Sequence, residues 1–254
     1  MEKYINIQMS ILSHYQCVDE FHRFFGHPRP NVPQYDIFEN QKLVNMRLSL
    51  IAEEFKEFEE AIDTKNLVEI IDALSDILYV VHGMGIVYGI DLKRTEGDDY
   101  DTLTPNTNLF VDMELVNERF SLMNNSINNL KASCQEKNFD SVEKSLIHLL
   151  FVVYETAKLF NLPIDRSFRL VHSNNMSKLC KTVTEAVESI VHYSKLKDFE
   201  NIIVNYRKST EGNYYVVFNE TPGHTQNGKI LKSCRWQEPD FTPLIYPENG
   251  TKSE

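Results

Sequence analysis

Two similar segments separated by an offset of 72 residues constrain the fold more than any other feature of this sequence. The stretch from Leu43 to Leu50 reads LVNMRLSL and that from Leu115 to Leu122 reads LVNERFSL, and the alignment continues without gaps. Chance similarity between two amphipathic helix pairs is the alternative, but a shared helical period alone would not match so many identical residues. The sequence therefore predicts two tandem, degenerate repeats, over residues 43–94 and 115–166.

Each repeat has the pattern of a helical hairpin. In the first, apolar residues at helical spacing from Leu48 to Ile62 predict one helix, residues 63–66 predict a turn, and Leu67 to Tyr88 predict a second helix. The second helix is apolar nearly all round, so we expect it in the core. Two such hairpins form a bundle of four or more helices, with residues 93–107 as the connector and a further helix near residues 8–25.

The pattern changes after the second repeat. Residues 184–196 have helical spacing, whereas residues 202–206 and 214–218 resemble strands joined by a turn that contains Gly212, and residues 229–232 are a candidate third strand. From Glu238 we expect an extended or frayed tail. The fold class is thus mainly α, with an all-α domain over residues 1–181 and a small α/β appendage with its tail over residues 182–254.

The two repeats differ most in their acidic residues. Apolar positions persist, while six acids of the first repeat are replaced in the second: Glu53 by Asn125, Glu54 by Ser126, Glu57 by Asn129, Glu69 by Ser141, Asp72 by Lys144 and Asp76 by His148. Such a loss is expected if the acids serve a chemical site that only the first repeat retains. The second repeat is then a scaffold.

The spacing of these acids indicates a metal site. The first three lie at i, i+1 and i+4 and can share a helix face, and the last three lie at i, i+3 and i+7 on the next helix. Antiparallel packing would bring together oxygen-only ligands suited to Mg²⁺ or Mn²⁺. A solvated face is the alternative for residues 53–60 alone. Asp72 and Asp76 lie in an apolar helix, however, so a cation or a buried salt bridge must compensate them.

Composition narrows the classes of partner. The chain has 26 Lys and Arg against 37 Asp and Glu, a formal charge of −11, which argues against a nucleic-acid or membrane-surface binder. An anionic substrate would need cations to mediate its contact. Four distant cysteines without a CxxC pair favour reduced thiols, and no signal peptide is indicated, so we expect a cytoplasmic protein. The most apolar stretch, residues 77–90, is too short to span a bilayer.

These motifs resemble a known superfamily. Glu53-Glu54-x-x-Glu57 followed by Glu69-x-x-Asp72 resembles the ExxE…ExxD signature of the all-α nucleoside triphosphate pyrophosphatases, which include MazG, the dimeric dUTPases and phosphoribosyl-ATP pyrophosphohydrolase. Its phage-type, phosphoribosyl-ATP pyrophosphohydrolase-like branch is similar at four more stretches: FHRFFGHP from residue 21, DALSDILYV from residue 72, VHSNNMSK from residue 171 and KILKS from residue 229. The resemblance touches most of the chain.

The resemblance implies hydrolysis of a nucleoside triphosphate to a nucleoside monophosphate and pyrophosphate. It makes Glu54, Glu57, Glu69 and Asp72 metal ligands, and Glu53 either a ligand or the base that orients water. Asp76 can also be aligned with the aspartate of the signature, which leaves Ala73 where a glutamate belongs. Asp76 therefore stays in the ligand set.

A second group of residues could supply the hydrogen-bond donors that an acidic site lacks. His172, Asn174, Asn175 and Lys178 are candidates for phosphate or base contacts, with a polar helix end as the alternative. Arg47 is a further candidate, although it recurs as Arg119 in the second repeat.

Two other classes of protein compete with this interpretation. A di-iron carboxylate bundle would need Glu-x-x-His motifs, which do not occur. A helical module that binds nucleotide and metal without turnover remains the alternative. A pseudo-dimeric monomer and a homodimer are both compatible with the repeat.

Overall fold

The structure is a computed structural model that describes residues 12–92, 105, 110, 113–224 and 227–246. It is mainly helical with a small sheet towards the C-terminus, so the predicted fold class is confirmed. Most of the expected connector over residues 93–107, and the first residues of the helix expected near 8–25, lie outside the described residues. The described part of that helix is α1, His14–Phe25.

The first predicted hairpin is present. Helix α2 spans Gln41–Asp63 and helix α3 spans Leu67–Tyr88, and the two pack against each other. The turn is specified locally: Lys65 has a positive φ of 56°, and the Asn66 side chain accepts hydrogen bonds from the first backbone amides of α3. Such an N-cap satisfies amides that have no partner within the helix.

The second hairpin has the same construction. Helix α4 spans Met113–Gln135 and α5 spans Phe139–Leu159, so both begin 72 residues after their counterparts. Lys137 repeats the positive φ at 54°, and Asn138 caps α5 with its side chain. The two hairpins therefore share length, turn geometry and capping. That they descend from one duplicated unit stays a prediction.

Helix α3 is the central element of the bundle. It packs against α1, α2, α5 and α6, the last spanning Ile164–Met176, and most of its residues are buried. With 22 residues it is about 33 Å long, so the whole helix, unlike the apolar stretch 77–90, has the length of a membrane span. Among the described helices, only α3, or α5 and α6 together across a bend of 116°, has that length and apolarity. Burial within the bundle explains why α3 is apolar.

The small sheet contains one strand that the sequence did not predict. Strands β1 (Leu179–Cys180), β2 (Val204–Lys208) and β3 (Tyr215–Asn219) form an antiparallel sheet in the order β1-β3-β2. Helix α7, Val183–Tyr193, packs on this sheet. The candidate third strand at 229–232 was wrong, because it contributes only a bridge between Ile230 and Phe218. The third strand is β1, which precedes the boundary expected at residue 181.

The described end of the chain returns to the helical bundle. Phe241, Leu244 and Ile245 are buried in the main core, and the last two belong to a short helix α8, Thr242–Ile245, beside α3. The prediction of an extended or frayed tail was therefore wrong for residues 241–245. This end of the described chain is therefore anchored to the bundle beside α3.

Candidate functional site

The six predicted acids lie on the facing helices α2 and α3. Glu54, Asp72 and Asp76 are partly buried between the helices, and the remaining three, Glu53, Glu57 and Glu69, are exposed around them. The hairpin places both sets on one side because the turn at residues 64–66 makes the helices antiparallel. The structure thus brings the acids of the two motifs together.

The three inner carboxyls of this cluster raise one another's pKa values. Burial, followed by the charges of Glu57 and Asp72, raises the pKa of Glu54 to about 8. Burial also raises the pKa of Asp72 to about 8, with the charge of Asp76 as the next cause. For Asp76, burial and then Glu54 raise the pKa to about 8. Such crowding of like charges is costly unless protons or cations neutralise it.

The second hairpin shows that side chains at two of the corresponding positions are close enough to touch. Ser126 and His148, the counterparts of Glu54 and Asp76, hydrogen-bond to each other at 3.0 Å between Oγ and Nδ1. The two positions therefore face each other in this type of hairpin. Asp72 and Asp76, which the sequence left as alternatives for one ligand, both belong to the same cluster.

Two lysines bring positive charge to the cluster. Burial lowers the pKa of Lys178, which lies just after α6, and the charge of Asp76 opposes that shift. Its ammonium donates a hydrogen bond to Asn175 Oδ1 at 2.6 Å. Lys232, from the segment that follows the sheet, also lowers the pKa of Asp76. Lys178 and Asn175 were predicted from the sequence as substrate-binding residues, whereas Lys232 was not.

Asn174 has both ends of its amide engaged by the C-terminal segment. Its Oδ1 accepts a hydrogen bond from Trp236 Nε1 at 3.0 Å, and its Nδ2 donates to the carbonyl of Gln237 at 2.6 Å. Asn174 therefore fixes this segment beside the acids. The sequence analysis did not identify Trp236 as a site residue. Its only indication was that it follows Lys232 by four residues, close to the KILKS motif.

The remaining two candidates, His172 and Arg47, make their contacts with residues outside the acidic cluster. His172 bridges the Tyr79 hydroxyl, at 3.1 Å, and the Glu20 carboxylate, at 3.0 Å. Arg47 is buried in the core, 3.4 Å from His22 Nε2, and burial lowers its pKa to about 10. The absence of a side chain at Gly83 leaves room for the Arg47 guanidinium. The structure therefore does not bring Arg47 to the acidic cluster.

The donor chemistry of the cluster suits a hard divalent cation. Carboxylate oxygens are the ligands that Mg²⁺ and Mn²⁺ prefer, and a bound cation would relieve the burial and mutual repulsion that raise the pKa values of these carboxyls. As the side chains stand, no three acidic, histidine or cysteine groups within the described residues are arranged to hold a metal ion. Coordination would therefore require rotation of the longer, exposed side chains towards Asp72 and Asp76.

The fold and site together define a class: all-α proteins with a carboxylate cluster on a helical hairpin. Residues 18–97, which contain all six acids, match the family model described as phosphoribosyl-ATP pyrophosphohydrolase. The chain belongs to the all-α nucleoside triphosphate pyrophosphatase superfamily, as the sequence motifs predicted. Membership implies a pyrophosphohydrolase that acts on a nucleotide.

Similarity to one relative extends over nearly the whole chain. This is Uncharacterized protein L479 of Acanthamoeba polyphaga mimivirus, which is 40% identical over 245 residues. The alignment covers 92% of this chain and 96% of the relative, so it includes the second hairpin and the small sheet. No solved structure matches the chain.

Proposed function

We propose that this protein hydrolyses ribo- or deoxyribonucleoside triphosphates to the monophosphate and pyrophosphate, in a reaction that depends on Mg²⁺ or Mn²⁺. The observation that carries the proposal is the cluster of Glu54, Asp72 and Asp76, whose pKa values all rise to about 8. A stable fold rarely retains such repulsion without a cationic ligand to relieve it. The family match supports the reaction class.

The acidic cluster would hold the metal. Glu54, Glu57, Asp72 and Asp76 supply the carboxylates, and Glu69 lies close enough for its charge to raise the pKa of Asp72. A divalent ion bound there neutralises negative charge on phosphate oxygens and makes bound water more acidic. This accounts for how a chain with a net charge of −11 can accept a polyanion.

Side chains of the protein would accept the proton and bind the phosphates. Glu53 is exposed beside the cluster and would accept the proton of the attacking water. That water forms a bond to the α-phosphorus while the bond from this phosphorus to the bridging oxygen breaks, and pyrophosphate leaves with the bond electrons. Lys178 would bind phosphate oxygens, held in position by Asn175.

Release of pyrophosphate tests the proposal directly. We expect Mg²⁺-dependent release from at least one member of a panel containing the common nucleoside triphosphates, their deoxy forms and phosphoribosyl-ATP. Glu54→Gln should abolish it, whereas Glu59→Gln, an equal charge change at an exposed position on the same helix, should not. Nucleotide binding without turnover under all conditions would identify a binding module instead and overturn the proposed activity.

A further inference from the structure

The segment from Lys232 to Glu238, here called the capping segment, has its backbone fixed at both ends. On the sheet side, Ser233 Oγ donates to the carbonyl of Ser177 at 3.2 Å, and the Cys234 amide donates to Ser189 Oγ at 2.9 Å. On the other side the chain enters the main core at Phe241. The segment is therefore a built part of the fold and not a loose tail.

The capping segment presents one aromatic ring and one ammonium group. The Trp236 indole donates its Nε1 hydrogen bond to Asn174 Oδ1, and the Lys232 Nζ lies 3.3 Å from the centroid of that ring. Within the described part of the chain the structure gives this ammonium no carboxylate partner in ion-pair range, and the lysine is solvent-exposed. The Lys232 ammonium thus lies over one face of the ring without a carboxylate partner of its own among the described residues.

This segment borders the acidic cluster. Lys232 lowers the pKa of Asp76, and Glu238, at its other end, raises that of Asp72. A polyphosphate bound at the carboxylates would therefore lie near the charge of the Lys232 ammonium. Its nucleoside would lie within the same wall of the site.

We propose that the capping segment is the nucleoside-binding wall: the base stacks on Trp236 in place of the Lys232 ammonium, which turns to the phosphates. This inference rests on the proposed function of the acidic site. Every base has a π face, so stacking on one fixed ring is tolerant of base identity. An ammonium gains more from a phosphate oxygen than from an aromatic ring, which favours the exchange.

Tryptophan fluorescence measures contacts of Trp236 specifically, because the sequence contains one tryptophan. The probes are the non-hydrolysable α,β-methylene analogues of ATP and UTP with Mg²⁺, and inorganic tripolyphosphate with Mg²⁺. We expect both nucleotides to quench the indole emission saturably and tripolyphosphate to bind without quenching it. Calorimetry on the same samples measures binding independently of emission.

Variants distinguish the contribution of the Trp236 ring to binding from that of the Lys232 ammonium. Trp236→Leu should weaken nucleotide binding about 5- to 150-fold, the range for loss of one base stack, with tripolyphosphate binding unchanged. Trp236→Phe keeps a ring and should recover much of the affinity. Lys232→Ala should weaken both ligands about tenfold or more, whereas Lys195→Ala, which removes an exposed cation from the end of α7, should weaken neither.

The outcomes distinguish this inference from the proposed activity. Nucleotide binding detected by calorimetry without a change in emission, or equal quenching by tripolyphosphate, overturns the inference even if the protein releases pyrophosphate. If the nucleotides quench the emission and the variants behave as expected, but no nucleotide is hydrolysed, the capping segment binds the nucleoside and the proposed activity is wrong. No binding of either nucleotide overturns the inference. Urea denaturation of Trp236→Leu and Trp236→Phe, followed by circular dichroism, verifies that both variants remain folded under assay conditions.

Discussion

Replacing Asp76 by asparagine tests whether the acidic cluster is strained in the absence of metal. Asparagine has nearly the same shape as aspartate but cannot be ionised, so it removes the cost of burying a charge and the repulsion with Glu54 while keeping the packing of α3. We therefore expect Asp76→Asn to increase the free energy of unfolding of the metal-free protein at pH 8. Glu54 remains to balance the charge of Lys178.

The magnitude follows from the pKa of Asp76, which rises from 3.8 to about 8 on folding. At about 1.4 kcal/mol per pH unit, an isolated group would lose about 6 kcal/mol of stability between these two values. Below pH 3.8 the carboxyl is protonated in both states. As pH rises from 3.8 to 8, the unfolded chain releases a proton that the folded chain retains, so stability falls. Sharing of protons with Glu54 and partial solvent access reduce the effect to about 1–3 kcal/mol.

Urea denaturation followed by circular dichroism, at pH 5 and pH 8 with and without Mg²⁺, measures this effect. The variant should be more stable than the wild type at pH 8 without metal, differ less at pH 5, and gain less stability from Mg²⁺. Asp63→Asn, at the exposed end of α2, is the matched control and should show no such dependence. A clear loss of stability for metal-free Asp76→Asn at pH 8 would refute the reasoning, because it would show that Asp76 is a paired structural acid.

Three further predictions concern the site and the turn after α3. Glu57→Gln and Asp72→Asn should each abolish Mg²⁺-dependent pyrophosphate release without unfolding the protein, and near-normal turnover of either at saturating metal would contradict the ligand assignment. Each chain should bind one nucleotide with Mn²⁺ by calorimetry, and two equal sites would contradict a single functional hairpin. Gly89→Ala should cost about 1–3 kcal/mol in urea denaturation, since its φ is +71° and a Cβ would lie 2.0 Å from the Val32 carbonyl oxygen. Gly223→Ala shares the positive φ without the clash, and an equal loss there would show that backbone strain alone is responsible.

The parts of the fold that the sequence predicted are those with local signals. Leu67 and Tyr88 were correct as the ends of α3 because Asn66 caps one end and Gly89, with a positive φ, ends the other. The acids of both motifs came together because helical periodicity and a short turn determine which faces meet.

The features that the sequence did not predict depend on contacts between distant residues. Strand β1 has only two residues, too few for a periodic pattern, and it exists because β3 pairs with it. The position of Trp236 depends on Asn174, 62 residues away, and no sequence pattern specifies that hydrogen bond. Arg47 was a candidate for substrate binding whose recurrence as Arg119 also allowed a structural role, and it lies in the core beside His22, a contact that no local pattern specifies.

Comparison of the two hairpins explains why one of them carries the site. At the positions of Ser126 and His148, a hydroxyl and an imidazole hydrogen-bond to each other at 3.0 Å. At the equivalent positions of the first hairpin, Glu54 and Asp76 repel each other. Since the two hairpins share the turn geometry and the Asn N-cap of the second helix, the acidic pair is not required for this type of hairpin. Its retention in the first hairpin is therefore best explained by a ligand that the second hairpin does not bind, and the cation and nucleotide proposed above have the charge and chemistry that such a ligand needs.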